Sequence, residues 1–83
     1  MRKISYSKSA LRTLKKIPAK TVSLIESKIE AFAENPSSLS NNVKSLKGRD
    51  GFRLRVGDWR VIMDDRGTVL AVLEIGPRSS VYD

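Results

Sequence analysis

The chain has no cysteine and no histidine among its 83 residues. Without cysteine there is no disulfide framework, no thiolate nucleophile and no cysteine-built metal site. Without histidine, the commonest metal ligand and the usual general base near neutral pH are both missing. Catalysis would have to rest on arginine, lysine, tyrosine, serine or carboxylates. No apolar run is long enough for a membrane span or a secretory h-region, so no membrane partner is expected and the cytoplasm is the expected compartment. Internal repeats, linkers and low-complexity segments are also missing, and one domain over residues 1–83 with a modest core is expected.

Acid is scarce as well, and unevenly so. The first twenty residues carry Arg2, Lys3, Lys8, Arg12, Lys15, Lys16 and Lys20 and no carboxylate side chain. Residues 44–60 form a second basic block, diluted only by Asp50 and Asp58, while the acids gather at Glu26, Glu30 and Glu34 and at Asp64-Asp65. The net charge is +7. A basic surface of this size favours nucleic acid or an acidic protein partner, through counterion release and electrostatic steering.

Periodicity orders the rest. Ile4 and Tyr6 share a face of a short strand over residues 2–6. Ser7 is a suitable N-cap for a helix over residues 8–16, with Ala10, Leu11, Leu14 and Ile17 at helical spacing. Pro18 ends that helix. A second helix over residues 19–34 presents Val22, Ile25, Ile29, Phe32 and Ala33 to a core, with Glu26 and Glu30 on its outer side, and stops at Asn35-Pro36. Residues 36–42 read as a polar loop and 43–48 as an approach segment carrying Lys44 and Lys47. Residues 68–75 are nearly all apolar, as in a central strand buried on both sides. Gly76-Pro77 ends it, and a short tail bears Tyr82. The expected fold is α+β: an N-terminal strand, a two-helix hairpin and a three-stranded antiparallel meander completing one sheet, with both helices on one face.

The most telling stretch is Phe52-Arg53-Leu54-Arg55-Val56-Gly57-Asp58-Trp59-Arg60-Val61-Ile62. Apolar and basic residues alternate, which is a half-buried strand. Gly57-Asp58 reads as a tight turn and residues 59–63 as the returning strand. A two-residue loop sets Val56 opposite Trp59, Arg55 opposite Arg60 and Leu54 opposite Val61. Arg53, Arg55 and Arg60 then share the face away from the core, Arg53 and Arg55 only about 6.6 Å apart along the strand. Like charges facing each other across a ladder are unfavourable. Phosphate is the natural counter-ion, since planar guanidinium forks match it.

Three segments carry a resemblance: Lys44-Ser45-Leu46-Lys47-Gly48, the arginine hairpin up to Val61, and Gly76-Pro77-Arg78-Ser79-Ser80-Val81-Tyr82. In this order, after a two-helix hairpin, they make the chain resemble the RelE/ParE superfamily of type II toxin–antitoxin toxins, and its RelE branch in particular, over essentially the whole length. The resemblance implies a ribosome-dependent endoribonuclease that cuts mRNA in the ribosomal A site and so inhibits translation. It also implies a cognate antitoxin with an acidic or amphipathic segment, contact with operator DNA only through that antitoxin, and no cofactor or metal. Motif by motif, Arg60, Arg78 and Tyr82 take the catalytic positions, and Lys44, Lys47, Arg53 and Arg55 the RNA-binding ones.

Two departures from the family pattern bear on the chemistry. Some members have lysine where this chain has Arg53 and Arg55, and arginine does not deprotonate. The general base is then Tyr82, Lys44 or Lys47, or a group on the ribosome. Pro77 stands where many relatives have histidine, which removes a proton shuttle and stiffens the approach to Arg78. A ParE-like gyrase-inhibiting toxin and a non-catalytic antitoxin-binding member are the alternatives within the superfamily.

Overall fold

A computed structural model of the protein describes residues 3–46, 48 and 50–78. The chain runs through β1 (Lys3–Tyr6), α1 (Lys8–Leu14), α2 (Ala19–Glu34), a 3₁₀ segment (Pro36–Asn42), β2 (Val43–Ser45), β3 (Phe52–Val56), β4 (Trp59–Asp65) and β5 (Val69–Pro77). The strands form one sheet in the order β1-β5-β4-β3-β2. β2 to β5 are antiparallel neighbours, while β1 lies parallel to β5. The α+β class, the hairpin of helices and the meander match the sequence-based expectation. The approach segment adds a strand to it, because residues 43–45 pair with β3 at the sheet edge.

Each helix follows from local chemistry. The Ser7 hydroxyl accepts the Ala10 N–H at 3.0 Å, which caps α1. α1 ends at Leu14, earlier than residue 16, since Pro18 disfavours helical geometry at Ile17. α2 spans the predicted range and buries Ile25, Ile29, Phe32 and Ala33. These join Ala10 of α1 and Leu54, Val56, Val61, Met63, Leu70, Val72 and Ile75 of the sheet in one core. Both helices thus cover the same sheet face. Leu11, expected within the α1 stripe, is instead 45% exposed. Trp59 is half-buried and packs on this core, opposite Val56 as the turn predicts.

Two glycines hold backbone that other residues would strain. Gly57 has φ +58 in the β3–β4 turn. Gly51 has φ +121, and a Cβ there would sit 2.7 Å from the Met63 carbonyl oxygen. The β2–β3 connection therefore passes directly against β4. A second, smaller apolar group of Leu46 and Ile62, with Leu73 against it, lies on the side of the sheet away from the helices.

β5 contains the feature that positions the site. Ile62 pairs with Glu74 but Met63 pairs with Val72, so Leu73 is an extra residue, a β-bulge. Before the bulge Leu70 and Val72 face the helices, and after it Ile75 does. The phase of β5 is inverted, which turns Glu74 and Gly76 toward the opposite face, with Arg78 following. The Ser7 hydroxyl donates to the Leu73 carbonyl at 2.6 Å, and the Ser7 N–H to the Val72 carbonyl at 2.9 Å. The residue that caps α1 also fastens the bulge.

Candidate functional site

Strand register places the basic side chains. Arg55 lies directly opposite Arg60, and Arg53 opposite Lys44 on one side and Ile62 on the other. Arg60 is followed across the sheet by Gly76, and Ile62 by Glu74. Two rows therefore cross the face away from the helices, one through Arg55, Arg60 and Gly76, the other through Lys44, Arg53, Ile62 and Glu74. A cleft of about 140 Å³ opens here, lined by Asn41, Asn42, Lys44, Arg53, Arg55 and Arg60.

Arg60 is the most constrained member of the group. Its Nη1 donates to the carbonyl oxygens of Gly57 at 3.0 Å and Trp59 at 2.9 Å, so the guanidinium is folded onto the hairpin turn. Its pKa is pulled below the ordinary arginine value, first by desolvation and then by the charges of Arg53, Arg55 and Arg78; Asp58 opposes this. Arg60 stays charged, but four guanidiniums share one field. The Arg78 N–H donates to the Asp58 carbonyl at 2.9 Å, which ties the end of β5 to the same turn. Among the described residues no carboxylate forms an ion pair with Arg55, Arg60 or Arg78; the pair between Arg66 Nε and Asp64 Oδ2, at 3.0 Å, belongs to the β4–β5 turn. Glu74 is exposed and likewise makes no ion pair with a described residue.

Five of the residues singled out from sequence thus come together: Lys44, Arg53, Arg55, Arg60 and Arg78. Lys47 and Tyr82 lie outside the described residues. Sequence reasoning missed Asn41 and Asn42, which complete the cleft wall. They sit in the 3₁₀ segment, which in the sequence is a polar stretch with no periodicity of its own. No periodic signal reaches them, because the strand alternation begins at Val43 and does not extend back into the 3₁₀ segment.

Guanidiniums held in this way can bind a phosphate through paired N–H donors and can stabilise added negative charge on it. They cannot accept a proton. The arginines are a place for an anion to be held and polarised, with the proton acceptor supplied by a group other than a guanidinium.

A different cluster faces the helices. The Tyr6 phenol of β1 lies between burial and the carboxylates of α2, and its pKa is pushed up to about 12 by desolvation first and by Glu26 and Glu30 second. The two glutamates expected on the outer side of α2 therefore act on a half-buried tyrosine.

Comparison with known proteins agrees with this architecture. Residues 4–82 match the family described as ParE toxin of type II toxin-antitoxin system, parDE. Toxin RelE3 of Methanocaldococcus jannaschii is 28% identical over 85 residues, spanning 98% of this chain and 96% of that protein. The fold is shared with RelE in the archaeal RelE–RelB complex of Pyrococcus horikoshii, with a TM-score of 0.78 at 22% identity, covering 96% of this chain and 98% of that one. It is also shared with the intact E. coli RelBE toxin–antitoxin complex, with a TM-score of 0.75 at 18% identity, covering 93% and 96%. No helix among the described residues is long and apolar enough to cross a membrane. The chain belongs to the ParE-type toxin family of type II toxin–antitoxin systems, as a RelE-like member.

Proposed function

We propose that this RelE-like toxin is a ribosome-dependent endoribonuclease that cuts mRNA in the ribosomal A site, working in the cytoplasm without a metal. The observation that carries the reading is the cluster of Arg53, Arg55, Arg60 and Arg78 in one electrostatic field, with no described carboxylate paired to the last three. A fold keeps such an unfavourable group where an anion offsets it.

The 2′-OH of the nucleotide attacks the adjacent phosphorus and gives up its proton. The P–O5′ bond breaks, leaving a 2′,3′-cyclic phosphate on one fragment and, once O5′ is protonated, a 5′-OH on the other. Arg60 and Arg78 hold the scissile phosphate and stabilise the charge that builds on its oxygens. Arg53, Arg55, Lys44 and Lys47 contact neighbouring phosphates and rRNA. Tyr82 stacks on a base or exchanges a proton, and a cationic setting would lower its pKa toward that role. Tyr82, Lys44, Lys47 and a ribosomal group remain the options for the base.

A cognate antitoxin is the expected protein partner, because several solved proteins of this fold are held in complexes of RelE with RelB. An acidic or amphipathic segment suits the basic surface. A gyrase-directed toxin would share the fold but would have no use for the arginine group.

The test is primer extension on mRNA in a purified translation system, with and without ribosomes. New 5′ ends at A-site codons that require ribosomes are the expected result. Arg60→Ala and Arg78→Ala should each reduce cleavage on the order of 10² to 10³-fold while circular dichroism stays native. Intact mRNA on active ribosomes would turn attention to gyrase supercoiling.

A further inference from the structure

We infer that Asn42, with Asn41 beside it, forms a base-reading subsite at the edge of the arginine cleft, taking an unstacked nucleobase whose phosphate lies on the arginines. The inference deepens the RNA-cleaving function proposed above and rests on it.

The cleft wall has two chemically distinct parts. Lys44, Arg53, Arg55 and Arg60 are cationic, while Asn41 and Asn42 are neutral amides. Guanidinium and ammonium groups only donate, and their phosphate contacts carry no sequence information. An asparagine amide both donates and accepts, so it can match two complementary groups on one base edge and reject a base with the pattern reversed. Unstacked bases of single-stranded RNA expose those edges.

The shape of the cleft puts the amide where a base would fall. Val43 pairs with Leu54 and Lys44 with Arg53. Asn42 is the last residue of the 3₁₀ segment, immediately before that pairing begins, and it lines the same cleft as Arg55 and Arg60, which face each other across β3 and β4. Adjacent strands are about 4.8 Å apart, so a cleft that runs from the start of β2 past β3 to β4 is about two strand spacings across. A single nucleotide, reaching from phosphate through sugar to base edge, bridges that span.

The segment is anchored and its amides are uncommitted. Leu39, three residues earlier, is buried in the main core, and β2 pairing begins at Val43. Asn42 is half-buried. Neither the Asn41 nor the Asn42 side chain hydrogen-bonds a described residue. Asn35, at the start of the same segment, is used differently: its Oδ1 accepts from Ser37 Oγ at 2.8 Å.

The experiment is fluorescence anisotropy with labelled 2′-O-methyl tetranucleotides UAUU, UCUU, UGUU and UUUU, which lack the attacking hydroxyl and so cannot be cut. The wild-type protein should separate the tightest from the weakest by about fivefold or more, the discrimination of one amide–base pair. In Asn42→Ala the four affinities should converge to within about twofold. Asn42→Asp, of the same shape but unable to donate, should reorder them. Equal wild-type affinities, or an unchanged order in both variants, would overturn the subsite while leaving the arginine site standing. No binding by the wild-type protein even at low salt would overturn the subsite, while the ribosome-dependent cleavage is decided separately by primer extension.

Discussion

Arg55 facing Arg60 is a residue-level sacrifice of stability. Removing the exposed partner's charge while keeping a polar side chain should relieve it, so Arg55→Gln is expected to raise the unfolding free energy by about 0.5 kcal/mol and to weaken RNA binding. Chemical denaturation and oligonucleotide titration of the same variant check both signs. Tyr6 offers a pH-dependent counterpart. Its pKa in the folded chain, about 12, lies above the ordinary value of 10.0. The native state thus holds the proton more tightly than the unfolded chain. The resulting stability is fully present below the unfolded value and is lost as pH rises through the window from about 10 to about 12. Urea unfolding on either side of that window should show a smaller alkaline loss in Tyr6→Phe than in the wild-type protein.

At the scale of elements, the β-bulge at Leu73 and its fastening by Ser7 decide which face Arg78 joins. Ser7→Ala removes a helix cap and leaves a half-buried carbonyl without its donor. It should lower stability by about 2 kcal/mol, with Ser7→Thr retaining most of it, as measured by denaturant midpoints. The arginine hairpin was legible in the sequence because alternation and Gly57-Asp58 together define a register. The bulge was not, since an almost uniformly apolar run carries no parity to interrupt. β2 escaped notice for a related reason: a strand of three residues is too short to display a period. The parallel pairing of β1 with β5 joins distant segments and leaves no local mark. In the site, Arg53, Arg55 and Arg60 followed from parity and Arg78 from its motif, whereas Asn41 and Asn42 reach the arginines through a 3₁₀ segment whose packing leaves no periodic mark in the sequence.

For the whole molecule, the net charge of +7 makes binding to RNA depend on counterion release. The logarithm of affinity should fall linearly with the logarithm of salt concentration. Lys44→Ala should flatten that line by roughly 0.7 of a slope unit, one single-strand phosphate contact. Anisotropy titrations across a salt series provide the measurement.

The strand order has a further consequence for a nascent chain. Among the described strands β5 is the last to be synthesised, yet it lies between β1 and β4. Until it emerges, β1 has no neighbour and the main core lacks Leu70, Val72 and Ile75. Arg53, Arg55 and Arg60 are by then already made, but the arginine that meets them at the turn is not. Prematurely terminated products that stop before β5 therefore carry most of the basic residues without the strand that joins β1 to β4 and without Arg78.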